Sequence, residues 1–248
     1  MSRSAAFRAR MATCPADIDA AQRLRYQAFI SGTGASERPD GRDKDAFDAI
    51  CTHILVEHAK TGGLVATIRL LPLGSGAEIG NSYSAQYYDL GALKDFSGPM
   101  AEIGRFCVDP NVQDPEVLRV AWGALTAFVD KAGVEMLFGC SSFQGTDIKV
   151  YSDAFAMLKE RHLGPKRWLP RIKAPNVFRF AERLRRTPDR VRALKTMPPL
   201  LRSYLTMGGW VSDHAVVDRD LNTLHVFTGL EIGSIPPARA RALRAVAG

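Results

Sequence analysis

The segment AEIGRFCVDP, residues 101–110, places two opposite charges inside a run that otherwise has the composition of a buried β-strand. Glu102 and Arg105 would point to opposite faces of a regular strand, because they are three residues apart. Gly104 between them predicts a β-bulge, which adds one residue and allows both charges to share a face. The fold must therefore accommodate a charged pair within a strand that belongs to the core.

Charged residues recur in other apolar settings along the chain, at Arg25, Asp45, Asp48 and Arg69. An unpaired buried charge costs several kcal/mol, so such residues are expected to pair with one another. With Glu102 and Arg105 they make three arginines and three carboxylates. Two readings stay open: a structural network of ion pairs, or a polar pocket for a zwitterionic ligand.

Composition narrows the class of protein. The 248 residues are 46% apolar and 24% charged, which is typical of a soluble globular protein. We find no long uncharged apolar run for a transmembrane helix, and the start MSRSAAFRAR has no apolar signal-peptide core. The four cysteines are dispersed, and the histidines form no H-E-x-x-H motif. These features predict a cytoplasmic protein without a metal site.

Hydrophobic periodicity predicts the element order β-α-β-β-β-α-β-α, then a basic helical insertion and two closing strands. The clearest helix begins after Asp114, a capping residue, and ends at Gly133. A hairpin is predicted where KTGG separates two β-rich runs. Because we find no repeat, low-complexity tract or flexible linker, we expect one α/β domain over residues 1–248, with the insertion at 158–202.

The insertion at 158–202 is strongly basic, with 14 Lys and Arg against 3 Asp and Glu. An anionic partner is expected, although a solvated helix face would have the same composition. From Asn176, the segment NVFRFAERLRR predicts an amphipathic basic helix, and Thr187 is expected to cap a second one. The predicted contact residues of the first helix are Arg179, Arg183, Arg185 and Arg186.

Four motifs resemble, in order, the signature of the acyl-homoserine-lactone synthase superfamily, a GNAT-type group. They are Arg25-x-x-x-Phe29, Asp45-x-x-Asp48, RLLP at 69–72 and EIGRF at 102–106. Segments such as GCSSFQGTD, PPLLRSYLTMGGWV and DLNTLHVFTGLEI are similar to one branch, the ornithine–acyl carrier protein N-acyltransferases of ornithine-lipid synthesis. The resemblance implies a GNAT-like fold, with a mixed, mainly antiparallel central sheet flanked by helices and the basic insertion before the last two strands.

The resemblance also implies an activity. A 3-hydroxyacyl group would pass from acyl carrier protein to the α-amine of L-ornithine, giving lyso-ornithine lipid. The expected partners are the carrier protein and ornithine, with peripheral contact to the inner face of the cytoplasmic membrane and no nucleic acid. No cofactor is expected beyond the acyl donor, because VDPNVQDPEVLRVAWG lacks the glycine-rich loop that cradles the pyrophosphate of coenzyme A.

The same resemblance assigns substrate binding to Arg25, Asp45, Asp48, Arg69 and Arg105. The arginines of the strands suit the ligand carboxylate, and the two aspartates either meet a substrate ammonium or pin their loop. Glu102 is expected to accept the amine proton, or else to hold the ammonium group or Arg105 in place. The backbone near Gly104 is expected to donate hydrogen bonds to the thioester oxygen.

Three alternatives remain at this point. The acceptor can be glutamine or another amino acid, and nothing in the sequence separates these from ornithine. A lactone synthase using S-adenosylmethionine is disfavoured by PPLLRSYLTMGGWV and by the basic insertion, which those shorter proteins lack. A non-enzymatic membrane-binding module would explain the basic helix, yet it would leave the charged strands unexplained.

Overall fold

The computed structural model describes residues 6–247, in which ten strands and seven helices follow one another. They are β1 Phe7–Met11, α1 Pro15–Phe29, β2 Thr52–His58, β3 Leu64–Leu73, β4 Tyr88–Asp89, β5 Met100–Val108, α2 Pro115–Ala132, β6 Met136–Gln144, α3 Ser152–Arg161, β7 Arg171–Ile172, β8 Val177–Phe178, α4 Phe180–Arg183, α5 Arg190–Thr196, α6 Pro199–Thr206, β9 Trp210–Asp218, β10 Thr223–Glu231 and α7 Pro237–Ala247. Short 3₁₀ turns separate several of them.

The elements group into two compact units, each made from separate stretches of chain. The first unit contains the chain up to Pro72, then Ile103–Val134, and then the chain from Pro237 onward. The second unit contains Leu73–Glu102 and Glu135–Pro236. Strand β5 therefore contributes its first three residues to the second unit and the rest to the first.

In the first unit, β1, β2 and β3 form an antiparallel meander, with β2 in the middle. Strand β5 continues it, since the Asp109 amide donates to the Val65 carbonyl at 2.8 Å. Residues along β2 are buried on both faces of the strand, which is why its run Ile54-Leu55-Val56 is continuously apolar. Helix α2 packs on β1, β2 and α7.

Helix α2 has the ends that its sequence predicts. Asp114 accepts a hydrogen bond from the Glu116 amide at 2.9 Å, and Pro115 occupies the first helical position. Gly133 ends the helix with φ of 62°, a left-handed conformation that glycine adopts without steric cost. The buried face includes Val117, Ala121 and Leu125. This helix is thus specified locally as well as by packing.

In the second unit, β10 lies between β6 and β9, and both pairings are antiparallel. Strand β8 adds to β9 in the same sense. The amides of Glu135 and Met136 both donate to the Pro99 carbonyl, so β6 and β5 begin side by side and run in the same direction. The pairing is the exception in a mainly antiparallel arrangement. An aromatic and aliphatic core that includes Phe143, Phe155 and Phe180 fills the space between these strands and α3 to α6.

The expected mixed α/β fold with mainly antiparallel strands and flanking helices is confirmed. The expectation of one domain over residues 1–248 stays a prediction. Its two ends, residues 1–5 and 248, lie outside the described residues. Residues 1–5 are the first half of the segment MSRSAAFRAR, from which the absence of a secretory signal is predicted. No helix within residues 6–247 combines the length and the apolar character needed to cross a bilayer.

The basic insertion differs from its prediction. Residues 158–202 begin inside α3 and include the short strands β7 and β8, so the insertion is not purely helical. The predicted amphipathic helix from Asn176 is wrong: Val177–Phe178 is a strand and α4 is a single turn. Phe178 and Phe180 are both buried in the core, which an extended segment followed by one turn allows. The next helix is capped by Asp189 rather than by Thr187.

Candidate active site

Six charged side chains of the first unit form one continuous set of ion pairs, called the charged network below. They are Arg25 of α1, Asp43, Asp45 and Asp48 of the following loop, Arg69 of β3 and Arg105 of β5. Arg25, Asp43 and Arg69 are each no more than 3% exposed. Because these charges have left water, each one depends on its partners for stabilisation.

Arg25 ties helix α1 to the loop that follows it. Its two terminal nitrogens donate to the two carboxylate oxygens of Asp48, each at 2.8 Å, in a bidentate pair. Its Nε donates to the Asp43 carbonyl at 3.1 Å, and Nη2 donates to the same oxygen. Arg25 thereby holds both ends of the segment 43–48 against the helix.

Asp45 and Asp48 form a reciprocal cap around the turn Ala46–Ala49. Asp45 Oδ1 accepts from the Phe47 amide at 2.9 Å, and Asp48 Oδ2 accepts from the Asp45 amide at 3.3 Å. Burial would raise the pKa of Asp48, but hydrogen bonds and charge from Arg25 and Arg69 outweigh it and hold that pKa well below its ordinary value. This geometry supports the loop-pinning role, while contact with a substrate ammonium stays a prediction.

Arg69 and Arg105 close the network from the strands. Arg69 Nη1 donates to Asp45 Oδ1 at 2.5 Å and to Asp48 Oδ1 at 2.9 Å. Arg105 Nε donates to Asp43 Oδ2 at 2.8 Å, and its Nη2 to Asp45 Oδ2 at 3.4 Å. The side chains of Arg105 and Asp45 are 12% and 24% exposed, more than those of the other members. These two are therefore the charges that a bound molecule can reach.

The backbone irregularity of β5 falls one residue after its predicted position. Arg105 has φ of 52°, in the left-handed region that costs a non-glycine residue about 1–2 kcal/mol, while Gly104 has no such angle. A Cβ placed on Gly104 would lie 3.9 Å from Arg69 Nε, an ordinary contact, so crowding does not require glycine there. The ion pairs of Arg105 help to hold this strained conformation. The oxyanion role of Gly104 stays a prediction.

Glu102, whose side chain is buried, belongs to the second unit. Its Oε2 accepts from the Tyr83 amide at 2.7 Å, and its Oε1 accepts from the Ser84 amide at 2.7 Å and the Ser84 hydroxyl at 2.6 Å. Such charge-assisted bonds from backbone donors are strong. They fasten the turn after Ser82 to strand β5. This geometry supports a positioning role for Glu102, and its role as a base stays a prediction.

The turn held by Glu102 leads into an array of aromatic and thiol groups. The hydroxyls of Tyr83 and Tyr87 are 3.3 Å apart, and the Tyr87 ring meets the His225 ring edge-on at 5.0 Å between centroids. Ser84 Oγ lies 3.4 Å from Cys140 Sγ. Burial is the main reason that the pKa of Tyr87 is raised well above its ordinary value, with the neighbouring Tyr83 adding to it. Tyr87 therefore stays a neutral hydroxyl at physiological pH.

Two parts of these clusters were missed by the sequence analysis. Asp43 lies in GRDKDAFD, where its charged neighbours indicate an exposed loop, yet it is 3% exposed and completes two ion pairs. Tyr83 and Ser84 lie in a segment without hydrophobic periodicity. A signal for Asp43 existed, because three arginines in apolar settings need several carboxylates nearby. No signal pointed to Ser84, since its role depends on backbone geometry.

The predicted basic contact residues all lie in the second unit. Arg183 and Arg185 are exposed. Arg179 approaches Glu182 at 3.6 Å, with about half of each side chain or more in solvent. Arg186 differs, because its Nη2 lies 2.7 Å from the carboxylate of the buried Asp153. Three of the four thus form a solvent-facing surface, and the fourth is tied to the core.

The N-terminus of α2 is the place where a GNAT enzyme of the coenzyme A type would bind pyrophosphate. Asp114 occupies that end with its carboxylate, and Glu116 adds a second acid in the first turn. The preceding residues 109–113 contain no glycine. This terminus is therefore unsuited to an anion. Within residues 6–247, no group of three or more His, Cys, Asp or Glu side chains is arranged to hold a metal ion.

Comparison with known proteins adds independent findings. The family model of the GNAT acetyltransferase domain matches residues 24–123. An L-ornithine N(alpha)-acyltransferase of Rhodobacter capsulatus is 34% identical over 229 residues, covering 89% of this chain and 88% of that protein. One of Rhizobium meliloti is 31% identical, covering 95% and 83%. The solved structure of FeeM, an N-acyl amino acid synthase from uncultured soil microbes, has a TM-score of 0.52 and 12% identity, covers 94% of each chain, and shows the fold alone.

The mixed sheet and the matched domain define a GNAT-type acyltransferase. Identity above 30% over most of both chains goes further than this class. The chain belongs to the family of the L-ornithine N(alpha)-acyltransferases. The resemblance seen in its motifs is thus confirmed.

Proposed function

We propose that this protein acylates the α-amine of L-ornithine. The observation that carries the proposal is the match to an enzyme named for this activity, at 34% identity over 88% of its length. The transferred group is a 3-hydroxyacyl chain, and the product is lyso-ornithine lipid. The neutral amine attacks the thioester carbonyl, a C–N bond forms and the C–S bond breaks. The carrier leaves as a thiolate, and the proton lost by the amine passes to Glu102 or to water.

The choice of amine follows from acidity. An α-amine has a pKa near 8 and a side-chain amine one near 10.4, so at pH 7 the α-amine is roughly 250 times more often neutral. Only the neutral form attacks a carbonyl. The site therefore needs to orient ornithine more than it needs a strong base.

The exposed edge of the charged network suits a zwitterion. Arg105 can pair with the ornithine carboxylate, and Asp45 can pair with an ammonium group, since both side chains are partly open to solvent. Arg25, Asp48 and Arg69 are buried behind them and hold them in place. In this proposal the network is both structural and ligand-binding, with the two roles divided between inner and outer members.

Glu102 has two proposed roles. As a base it would accept the amine proton, directly or through water. As a positioning residue it would hold Tyr83 and Ser84, which its three hydrogen bonds support. Replacement by glutamine separates the two roles.

The proposed acyl donor is acyl carrier protein, and no further cofactor takes part. Support comes from α2, whose N-terminus carries Asp114 and Glu116 where a coenzyme A enzyme would hold pyrophosphate. A donor that is bound through its protein part does not need that cradle. Arg179, Arg183 and Arg185 offer exposed positive charge to an acidic carrier. We also propose a cytoplasmic location, with peripheral contact to the inner face of the membrane.

The test is a product assay. Purified protein is incubated with the 3-hydroxyacyl thioester of carrier protein or of coenzyme A, and with ornithine, glutamine or S-adenosylmethionine. We expect N-acylornithine as the main product by mass spectrometry, with the carrier-protein donor preferred in kcat/KM. Nα-acetylornithine, whose α-amine is blocked, is the matched control and should give no product. Acylation of glutamine alone, or formation of a homoserine lactone, would reject ornithine as the acceptor.

A further inference from the structure

Helix α5 presents aliphatic side chains to solvent. Ala193 of this helix and Met197, the residue that follows its end, are buried in the core of the second unit. Val191 and Leu194, one turn apart, are 77% and 47% exposed. Val191 lies in the first turn of this short helix, and a valine that is three-quarters exposed adds little packing energy to the folded protein.

A third exposed aliphatic side chain belongs to the same part of the unit. The turn Ile148–Tyr151 contacts α5 and packs on the same core through Ile148 and Tyr151. Val150 in that turn is 57% exposed. Isolated exposed aliphatic residues are ordinary, but these three lie on two contacting elements, and we treat them as one patch.

Basic residues flank this patch on every contributing element. The patch and its cations are called the α5 surface and consist of Val150, Val191, Leu194, Lys149, Arg190, Arg192, Lys195 and Arg202. All five basic residues are exposed. Arg202 reaches over from α6, since its Nη1 lies 3.5 Å from the Leu194 carbonyl.

The nearby acids are engaged at helix ends. Asp189 accepts hydrogen bonds from the Val191 and Arg192 amides, and Asp147 accepts one from the Lys149 amide. Arg192 is the only basic member of the surface for which the described residues show an ion pair, with Asp189 at 3.5 Å. The surface is therefore strongly positive, with aliphatic side chains between the charges.

We propose that the α5 surface docks on an anionic lipid bilayer. Val191, Leu194 and Val150 enter the headgroup boundary, and the flanking cations meet lipid phosphates. The exposed cations favour an anionic partner. The exposed aliphatic side chains favour a partner in which they can be buried, and an anionic bilayer meets both conditions. A second reason rests on the proposed function: the product is a lipid that has to reach a membrane. The argument from charge and exposed aliphatic residues does not depend on it.

This surface differs from the one that the sequence predicted. Phe180, Ala181 and Leu184 of the predicted amphipathic helix lie in or against the core instead. The exposed aliphatic residues are one helix further along the chain. A membrane contact at Arg179 to Arg186 alone would have charge without an apolar centre.

The first test is co-sedimentation of the purified protein with vesicles, which needs no enzymatic activity. We expect binding to mixed phosphatidylglycerol and phosphatidylcholine vesicles that falls as salt rises, and none to pure phosphatidylcholine. Replacing Arg190, Arg192 and Lys195 together by Gln should lower partitioning about 100-fold, at about fivefold for each basic residue. Val191→Ser with Leu194→Ser should lower it about tenfold. The matched control replaces Lys131, Arg239 and Arg241 by Gln, the same charge change at exposed positions of the first unit.

A second measurement reports insertion directly. Val191→Trp places a fluorophore at the centre of the surface, and Ile50→Trp places one at a comparably exposed position in the first unit. On adding anionic vesicles, we expect a blue shift and quenching by brominated lipid for the first variant only. Because both positions are exposed, both variants should fold, as unchanged thermal unfolding would show.

The outcomes separate this proposal from its rivals. Wild-type protein that ignores anionic vesicles, or α5 variants that bind them like wild type, would overturn it. If the Gln variant loses affinity for acyl carrier protein while keeping vesicle binding, the surface serves the carrier and the lipid proposal fails. Since vesicle binding is measured without substrate, its failure would leave the proposed acyl transfer untouched, and the reverse holds for the product assay.

Discussion

The charged network of the first unit and the α5 surface of the second are both rich in arginine, yet they treat charge in opposite ways. In the network three arginines face three aspartates, and five of the six side chains are 12% exposed or less. On the α5 surface the basic groups are exposed and the nearby acids cap helices. Burial forces the first set to balance its charge internally, because an unpaired buried charge is costly.

The difference shows which charges the protein needs for its own fold and which are left for a partner. An exposed cation is stabilised by water and contributes little to folding. Its charge remains able to attract an anionic partner. We therefore expect substitutions in the two regions to fall on different measurements, stability for the buried set and binding for the exposed set.

Glu102 tests the separation between buried charges that act on stability and exposed charges that act on binding. It is a buried charge, but it lies in the unit that carries the exposed arginines. Glu102→Gln should lower kcat about 10²- to 10⁴-fold if the carboxylate accepts a proton. Its amide would also face backbone N–H groups, at a cost of about 1–3 kcal/mol in stability. The measurement is kcat and kcat/KM with ornithine and carrier-protein donor across pH 6–9, beside thermal unfolding.

Ser84→Ala is the matched control for Glu102→Gln. It removes one donor to the carboxylate and keeps the acid, so we expect about 1 kcal/mol of lost stability and an unchanged pH–rate profile. Equal loss of activity in both variants would assign Glu102 to positioning. Near-full activity of the Gln variant at every pH would remove it from proton transfer.

Arg25→Met tests the buried set directly. It keeps the approximate length of the side chain but removes one of the two arginines that pair with each of Asp43 and Asp48. We expect the free energy of unfolding to fall by about 3–5 kcal/mol, measured in urea. Arg183→Met, at an exposed position, is the control and should change it by no more than about 0.5 kcal/mol. Similar effects for both would mean that burial does not separate the two regions.

Acid should weaken the network and leave the basic surface charged. The folded pKa of Asp48 is depressed below its ordinary value near 3.9, so its contribution is complete above about pH 4 and is lost as pH falls through the folded pKa. We expect a loss on the order of 1–3 kcal/mol over that range. Asp48→Asn should be less stable at pH 7 and show a shallower fall in acid. A parallel acid profile in the two proteins would contradict this.

The smallest effect is expected from the exposed arginines in donor binding. Arg183→Glu with Arg185→Glu should raise KM for the acyl carrier protein by a few-fold per residue, since exposed ion pairs are worth roughly 0.2–1 kcal/mol each. KM for ornithine should not change. Arg186 is left intact, because an acid there would face the buried Asp153. Unchanged carrier KM at low salt would remove these residues from docking.

The parts of the fold that could be predicted are those that short segments specify. Helix α2 has its cap, its first proline and its terminal glycine in the sequence, and the β2–β3 hairpin has its glycine turn. The prediction for the segment after Asn176 was wrong, because its residue spacing is compatible with a helix. The segment begins instead with a short strand, and both Phe178 and Phe180 are buried. Local periodicity cannot reveal which of two faces the rest of the chain will cover.

The same limit applies to the candidate site. Arg25, Asp45, Asp48, Arg69 and Arg105 were identified because each is a charge in an apolar setting, and the fold brings these five together. Asp43 lies among charged residues in the sequence, so no apolar setting indicates the burial that the fold gives it. The positive φ of Arg105 could not be predicted from the sequence, because that backbone region is expected at glycine. At Arg105 the ion pairs of the side chain help to hold the backbone in this region.

The composition of the first unit from three stretches of chain has a consequence for synthesis on the ribosome. Residues 6–72 supply the meander and most of the charged network, so this part can begin to fold early. Arg105 and α2 arrive later, and α7, which pairs Arg244 with Asp130 of α2, arrives only after the whole second unit has been made. The growing chain must therefore keep one face of α2 uncovered while more than a hundred residues emerge, a period in which chaperones can act on it.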